Sequence, residues 1–188
     1  MAQIFAFGHQ KFVGKDTIIK FMIDILRPKM RASRIVKRGF ADRVYDVCYL
    51  LYKWAGMQTR AYYEDHPYAK ANLLKNGKTV RQLLIEVGTP VMRAYDEQVW
   101  INAALSDDDF DILLINDCRF PNEFEAVKNL GGTTIRVTRP GLEAPTDVAD
   151  TALNGYEEQW DEHIENNGDL NALYDAAVSL IAKYVKLP

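Results

Sequence analysis

The chain has 188 residues, 48% of them apolar, and a formal net charge of −3 at pH 7. That length holds one domain of ordinary size with a real core, and that apolar share excludes a disordered chain. The weakly acidic balance speaks against a dedicated nucleic-acid binder.

From the N-terminus, Ile4 to Phe7 is a short apolar run of the kind that forms a buried strand. A loop with two glycines follows, Gly8 to Gly14, and then Lys15, Asp16 and Thr17. Ile18, Ile19, Phe21, Met22, Ile25 and Leu26 recur at helical spacing after it. Strand, glycine-bearing loop, Gly-Lys and helix is the order of a P-loop. In such a loop successive backbone N–H groups and the positive end of the helix surround phosphate oxygens. Read this way, Lys15 reaches the β- and γ-phosphates and a hydroxyl after it, Thr17, holds Mg²⁺. Two features depart from the usual motif. Five residues separate Gly8 from Gly14 where four are usual, so His9 stands where the first glycine belongs. Asp16 also comes between the lysine and the hydroxyl. An ordinary strand-to-helix turn with Asp16 or Thr17 near the helix start fits the same residues.

Arg27-Pro28 breaks the helical pattern. Between Arg27 and Arg43 stand Arg27, Lys29, Arg31, Arg34, Lys37, Arg38 and Arg43 against one acid, Asp42. This block reads as solvated surface or as attraction for a phosphorylated substrate. Within it, Ile35 to Phe40 is a candidate second strand. Ala41 to Trp54 has helical periodicity, through Val44, Val47, Cys48, Leu51 and Tyr52. Gly56 to Lys78 is irregular, mixing Tyr62, Tyr63 and Tyr68 with charges. Thr79 to Val87 and Thr89 to Leu105 read as two helices broken at Gly88. Asp111 to Asp117 is an apolar strand with a polar tip. Pro121 to Leu130 reads as a helix, ended by Gly131-Gly132, and Thr133 to Thr138 as a strand. Arg139-Pro140-Gly141 opens a polar loop to about Asp150, and from Glu143 to Asp169 acids dominate. A short strand is expected around His163 to Asn166, and a closing amphipathic helix from Asp169 to Val185.

Cys48 and Cys118 have no metal-type spacing, and His9, His66 and His163 are scattered, which argues against a zinc centre. The cysteines read as reduced thiols of a cytoplasmic protein. No apolar stretch is long enough for a membrane span, and the N-terminus lacks a secretion signal.

Strands alternating with helices predict an α/β fold, a parallel sheet of about five strands with right-handed crossovers. Ligands of such sheets bind beyond the carboxyl ends of the strands. The polar tips of the first and third strands should therefore face one crevice. Asp117 is then a carboxylate at a strand tip, where P-loop enzymes hold Mg²⁺, or else a loop-initiating aspartate. Arg119 follows it. Its planar fork suits phosphate, though a surface ion pair is the alternative.

Several blocks stand in a telling order: Gly14-Lys15-Asp16-Thr17, Phe40-Ala41-Asp42, Arg81-Gln82-Leu83-Leu84 with Gly88-Thr89, Arg93 and Trp100, Asp117-Cys118-Arg119-Phe120-Pro121-Asn122-Glu123, and Gly131-Gly132 leading to Arg139-Pro140-Gly141. Together they resemble the phage-type deoxynucleoside monophosphate kinases, from Ile4 to about Leu173. The resemblance implies a P-loop NTPase, nucleoside-monophosphate-kinase fold. It implies one kinase domain over 1–188, with a monophosphate-side insertion around 41–105 and a lid loop around 139–150. It further implies transfer of the γ-phosphate of ATP to a deoxynucleoside monophosphate with Mg²⁺ by a homodimer, in the cytoplasm of the infected host cell if the chain is of phage origin. Neither nucleic acid nor a membrane is expected as a partner.

Carried over position by position, the resemblance implies that Lys11, Val13, Gly14, Lys15, Asp16, Thr17 and Arg139 meet ATP, and that Thr17 and Asp117 hold the metal. Lys11, Phe40, Arg81, Arg93, Asp96, Trp100, Asp117 and Arg119 serve the monophosphate, with Asp96 and Trp100 on one long helix. Lys15, Asp16, Arg93 and Arg119 carry catalysis. The chain departs from the family at His9 and at Phe12-Val13, where smaller or polar residues are common; a bulky loop leaves less room for the β-phosphate. Pro90 stands where the family often has an acid. Two other readings stay open. One is a deoxynucleoside kinase, for which Asp42-Arg43 is the weak signal. The other is a nucleotide-binding module without turnover.

Overall fold

A computed structural model describes residues 2–8, 10–106, 109–142 and 148–187 of the protein. His9 and the 143–147 part of the expected lid loop lie outside the described residues. Contacts divide the chain into two compact units: Met1–Gly39 with Asp108–Pro188, and Phe40–Asp107.

The first unit is a five-stranded sheet in the order β2-β3-β1-β4-β5. Its strands are β1 (Gln3–Gly8), β2 (Ile35–Arg38), β3 (Ile112–Cys118), β4 (Thr133–Thr138) and β5 (Glu162–Glu165). Every neighbouring pair is parallel. The two continuous apolar runs, Ile4–Phe7 and Ile112–Ile115, become β1 at the centre of the sheet and its inner neighbour β3. A strand paired on both edges and covered on both faces has no exposed side to leave polar. The edge strands β2 and β5 are only half buried and carry charges.

Helix α1 (Lys15–Lys29) packs against the closing helix of the chain, and both cover one face of the sheet. Ile18, Ile19, Met22 and Leu26 of α1 are wholly buried there, one stripe of the 3.6-residue period. Pro28 does not end α1 where the sequence predicts. It sits in the last turn, where little helix remains to disrupt, and Met30 N–H still bonds to Leu26 O at 2.8 Å.

The second unit is helical. It contains α2 (Asp42–Tyr52), α3 (Arg60–Asp65), α4 (Val80–Glu86), α5 (Met92–Tyr95) and α6 (Val99–Leu105). The stretch expected to be irregular holds α3, whose N-cap Thr59 accepts the Tyr62 N–H, and a 3₁₀ turn over Pro67–Ala71. Thr79 and Gln82 cap α4 reciprocally, as a capping box.

The break expected at Gly88 is not there. A wide π-turn over Val87–Val91 carries the chain through Gly88 and Pro90 into α5. Such a turn accommodates a proline that has no N–H to give. Gly88 packs on Val44, and its carbonyl accepts the buried indole N–H of Trp100 at 2.7 Å. The break falls instead at Asp96, whose extended backbone separates α5 from α6 and whose carboxylate accepts the Gln98 N–H. Asp96 and Trp100 therefore do not share one long helix.

In the first unit the chain continues with α7 (Pro121–Asn129), α8 (Val148–Thr151) and α9 (Leu170–Tyr184), the last capped by Asp169. Among the described residues no helix is long and apolar enough to cross a membrane.

Candidate functional site

The first glycine-bearing loop joins the C-terminal end of central strand β1 to the start of α1. Its two glycines are needed for different reasons. At Gly8 a Cβ would stand 2.2 Å from the Trp160 ring and 2.5 Å from the Cys118 carbonyl, so no side chain fits. Gly14, the residue before α1, has φ +104°, a left-handed conformation that side chains disfavour. The Gly14 carbonyl accepts the N–H groups of Thr17 and Ile18 and starts the helix.

The loop is braced from far away in sequence. The buried Asn166, just beyond β5, donates its side-chain N–H to the Val13 carbonyl at 2.9 Å. Val13 is buried in the core, while Phe12 is 71% exposed with φ +63°. The bulk of Phe12-Val13 is thus divided between core and solvent.

Lys15 opens α1 and is only 5% exposed. Its ammonium donates to the Gln10 carbonyl within the loop. Burial lowers its pKa to about 8; the nearby Arg119 guanidinium adds to this, and Asp16, Asp150 and Asp117 oppose it. Lys15 and Arg119 are close enough to repel, an arrangement that an anion between them would relieve.

Asp16 faces other groups. Its carboxylate accepts from Asn116 at 2.8 Å and pairs with Lys37 at 2.7 Å. Burial pushes its carboxyl up, but Lys37 and Asn116 outweigh burial and hold it below the usual range. Thr17 lies half buried in the first turn of α1. Asp117, also half buried, stands at the C-terminal end of β3, beside the position where Gly8 of β1 pairs with Cys118.

Arg119 is held at both ends. Its backbone N–H bonds to the buried Glu123 carboxylate at 2.8 Å, which also accepts the Phe120 N–H at 3.1 Å. Its guanidinium donates to Asp150 Oδ1 at 2.7 Å. The Lys11 ammonium lies 3.3 Å from Asp150 Oδ2. The sheet unit thus brings together Lys11, Gly14, Lys15, Thr17, Asp117 and Arg119 around the ends of β1 and β3. Arg139 is exposed just beyond β4.

The remaining candidates belong to the helical unit. Phe40 and Trp100 are buried, Arg81 is exposed on α4, Arg93 is half buried on α5, and Asp96 caps the Gln98 N–H. Within this unit Asp42 pairs with Arg60, and Arg43 with Asp46 at 3.0 Å.

The basic block is divided by the fold. Lys37 pairs with Asp16, whereas Arg27, Arg31 and Arg34 line an open groove of about 550 Å³ beside the starts of β2 and β3, the opposite end of the sheet. Three residues that matter here were not among the sequence-derived candidates: Asp150, Asn166 and Asn116. Each is a polar residue without a motif, and only its spatial partner marks it.

The profile of the family described as "Deoxynucleotide monophosphate kinase" matches residues 49–177, more than half of the chain. A protein of Acanthamoeba polyphaga mimivirus, provisionally given the same name, is 24% identical over 89% of this chain and 90% of its own length. The deoxynucleotide monophosphate kinase of Escherichia phage RB69 is 32% identical over 55% of this chain and 45% of its own length, so the chain spans less than half of that relative. Among solved structures, dephospho-CoA kinase from Campylobacter jejuni superposes with a TM-score of 0.49 at 16% identity, covering 97% of both chains.

Proposed function

The chain belongs to the deoxynucleotide monophosphate kinase family, and from that premise we propose that it transfers the γ-phosphate of ATP to a deoxynucleoside 5′-monophosphate. The products are the diphosphate and ADP. The observation that carries this reading is the gathering of Lys11, Lys15 and Arg119 at the C-terminal ends of β1 and β3: Lys15 opens α1 after the glycine-bearing loop, and Lys11 and Arg119 share the buried Asp150 carboxylate. Phosphoryl transfer asks the protein for positioning and charge neutralisation more than for covalent chemistry.

Lys15 and the amides opening α1 would bind the β- and γ-phosphates, with Lys11 beside them. Arg119 would grip the transferring or the acceptor phosphate with two parallel N–H bonds. The acceptor phosphate is itself an anionic nucleophile. Its oxygen attacks the γ-phosphorus, the bond to the β–γ bridging oxygen breaks, and no protein base is required.

Thr17 and Asp117 offer a hydroxyl and a carboxylate, the hard oxygen donors that Mg²⁺ takes alongside substrate phosphates and water. One hydroxyl and one carboxylate leave the other Mg²⁺ positions to phosphate oxygens and water, so the donor set fits a metal that arrives with ATP. When bound, Mg²⁺ would supply neutralisation of charge on the β- and γ-oxygens. Asp16, Val13 and Arg139 complete the set proposed for ATP; Phe40, Arg81, Arg93, Asp96 and Trp100 are proposed for the monophosphate.

The test is ADP release from Mg-ATP against the four deoxynucleoside monophosphates, their ribose counterparts and the free deoxynucleosides. Acceptor-dependent release with a deoxynucleoside monophosphate is expected. Release with deoxynucleosides alone would transfer the reading to a deoxynucleoside kinase, and ATP binding without release would make the protein a binding module.

A further inference from the structure

We propose that Asp150 is a positioning residue: its buried carboxylate joins Arg119 and Lys11 and holds the Arg119 guanidinium where it meets a substrate phosphate. The inference rests on the phosphoryl-transfer reading of this site.

Asp150 lies in α8, beyond the loop that Arg139 opens, and has 0% exposure. A carboxylate loses its hydration when buried and is stable there only against positive partners. Its two partners come from separate segments: Arg119 follows β3 and Lys11 sits in the glycine-bearing loop. Both partners remain partly in contact with solvent, with side-chain exposures of 29% and 36%. The anion is therefore the fixed member, and the cations are the members that a ligand can reach.

The two oxygens of Asp150 act unequally. Oδ1 accepts a short charge-assisted bond from Arg119 Nη1 at 2.7 Å. Oδ2 is 3.3 Å from the Lys11 ammonium and makes an ion pair with it rather than a hydrogen bond. Asp150 thus holds Arg119 more closely than it holds Lys11. Because Glu123 fixes the Arg119 backbone N–H, the bond to Asp150 removes the freedom that remains in the long side chain. One such bond uses one of five N–H donors, so a held guanidinium can still bind a phosphate through parallel bonds.

A residue that only stapled the fold would affect stability and leave the folded enzyme's turnover intact. The experiment compares the parent protein with Asp150→Asn, Asp150→Ala, Arg119→Ala and the Arg119→Ala/Asp150→Ala double variant. Steady-state kinetics vary ATP and the deoxynucleoside monophosphate separately, and thermal melting reports folding. The ¹⁵N signals of the Arg119 guanidinium are recorded in the nucleotide-free parent and in Asp150→Asn.

We expect kcat to fall roughly 10- to 100-fold in either Asp150 variant, the scale of a misplaced reacting contact, with KM for ATP changed by less than about 3-fold. In the Arg119→Ala background the Asp150 substitution should cost less than about 3-fold, because residues in one network do not act additively. Separate, slowly exchanging Nη signals of Arg119 in the parent should merge in Asp150→Asn. Should Asp150→Ala fail to fold, the near-isosteric Asp150→Asn carries the comparison. Unchanged kcat in a folded Asp150 variant, or losses that multiply in the double variant, would overturn the proposal. If the parent itself turns over no acceptor, the kinase reading fails and the Arg119 spectra alone decide the positioning role; identical spectra would end it.

Discussion

Asn166 donates its side-chain N–H to the Val13 carbonyl at 2.9 Å, across 153 residues of sequence. Beside this bond, Gly14 takes a left-handed backbone, and a Cβ on it would stand 2.8 Å from the same Asn166 nitrogen. The loop before α1 is thus shaped from outside, by a residue just past the last strand.

Asn166→Ala should therefore loosen the loop as well as the fold. An unmade bond at a buried carbonyl costs about 1–3 kcal/mol, to be read from the denaturant midpoint. KM for ATP should rise with it. A destabilised variant with the parental KM would reduce Asn166 to a core residue.

Lys15→Ala removes the charge proposed to meet the transferring phosphate. Turnover should drop about 10²- to 10³-fold, the usual cost of losing one such contact. Thermal stability should hold, since a buried ammonium is itself unfavourable. Near-parental turnover would remove the loop from the reaction.

The lowered pKa of Lys15, about 8 through burial and then Arg119, gives nucleotide affinity a pH dependence. Bound phosphate favours the charged lysine, so the pKa of the complex is higher than that of the free protein. Affinity for ATP should be level below about pH 8 and weaken as pH rises through it, until the lysine of the complex also titrates. Calorimetry from about pH 6.5 to 9.5 at fixed ionic strength reads this. The limb should vanish in Lys15→Ala; a limb of unchanged slope there would assign it to another group.

Arg119→Lys keeps the formal charge and loses the fork. Lysine is a point charge and cannot reproduce the bond to Asp150 together with two parallel bonds to phosphate. Monophosphate handling should suffer more than ATP binding, seen when each substrate is varied in turn. Equal kinetics for both substrates would leave Arg119 with its pair to Asp150 and no part in the reaction.

Asp117→Asn should raise the Mg²⁺ concentration needed for half-maximal rate, because the amide is a poorer ligand for a hard cation. A Mg²⁺ titration on parent and variant is the measurement. Superimposable curves would leave Asp117 with a structural role.

The sequence by itself determined the parallel sheet and where its candidate site would lie. Ile4–Phe7 and Ile112–Ile115 are unbroken apolar runs, and only strands covered on both faces and paired on both edges have use for such runs. Gly14-Lys15 next to a helical stripe marks where the first of them must turn, because both signals are local and survive without knowledge of the rest of the chain. The passage through Gly88 and Pro90 was not legible in this way. A proline and a glycine normally interrupt a helix, and here Val44 and the Trp100 indole make the wide turn the better packed choice. Nor could Asp150 or Asn166 be picked from the sequence. An aspartate in an acidic stretch and an asparagine after a short strand have no periodicity and no motif. Their roles follow from partners that the folded sheet alone brings to them: Arg119 and Lys11 for the one, the Val13 carbonyl for the other. Burial then makes those partnerships obligatory, since a carboxylate or a carbonyl removed from water must find its counterpart within the protein.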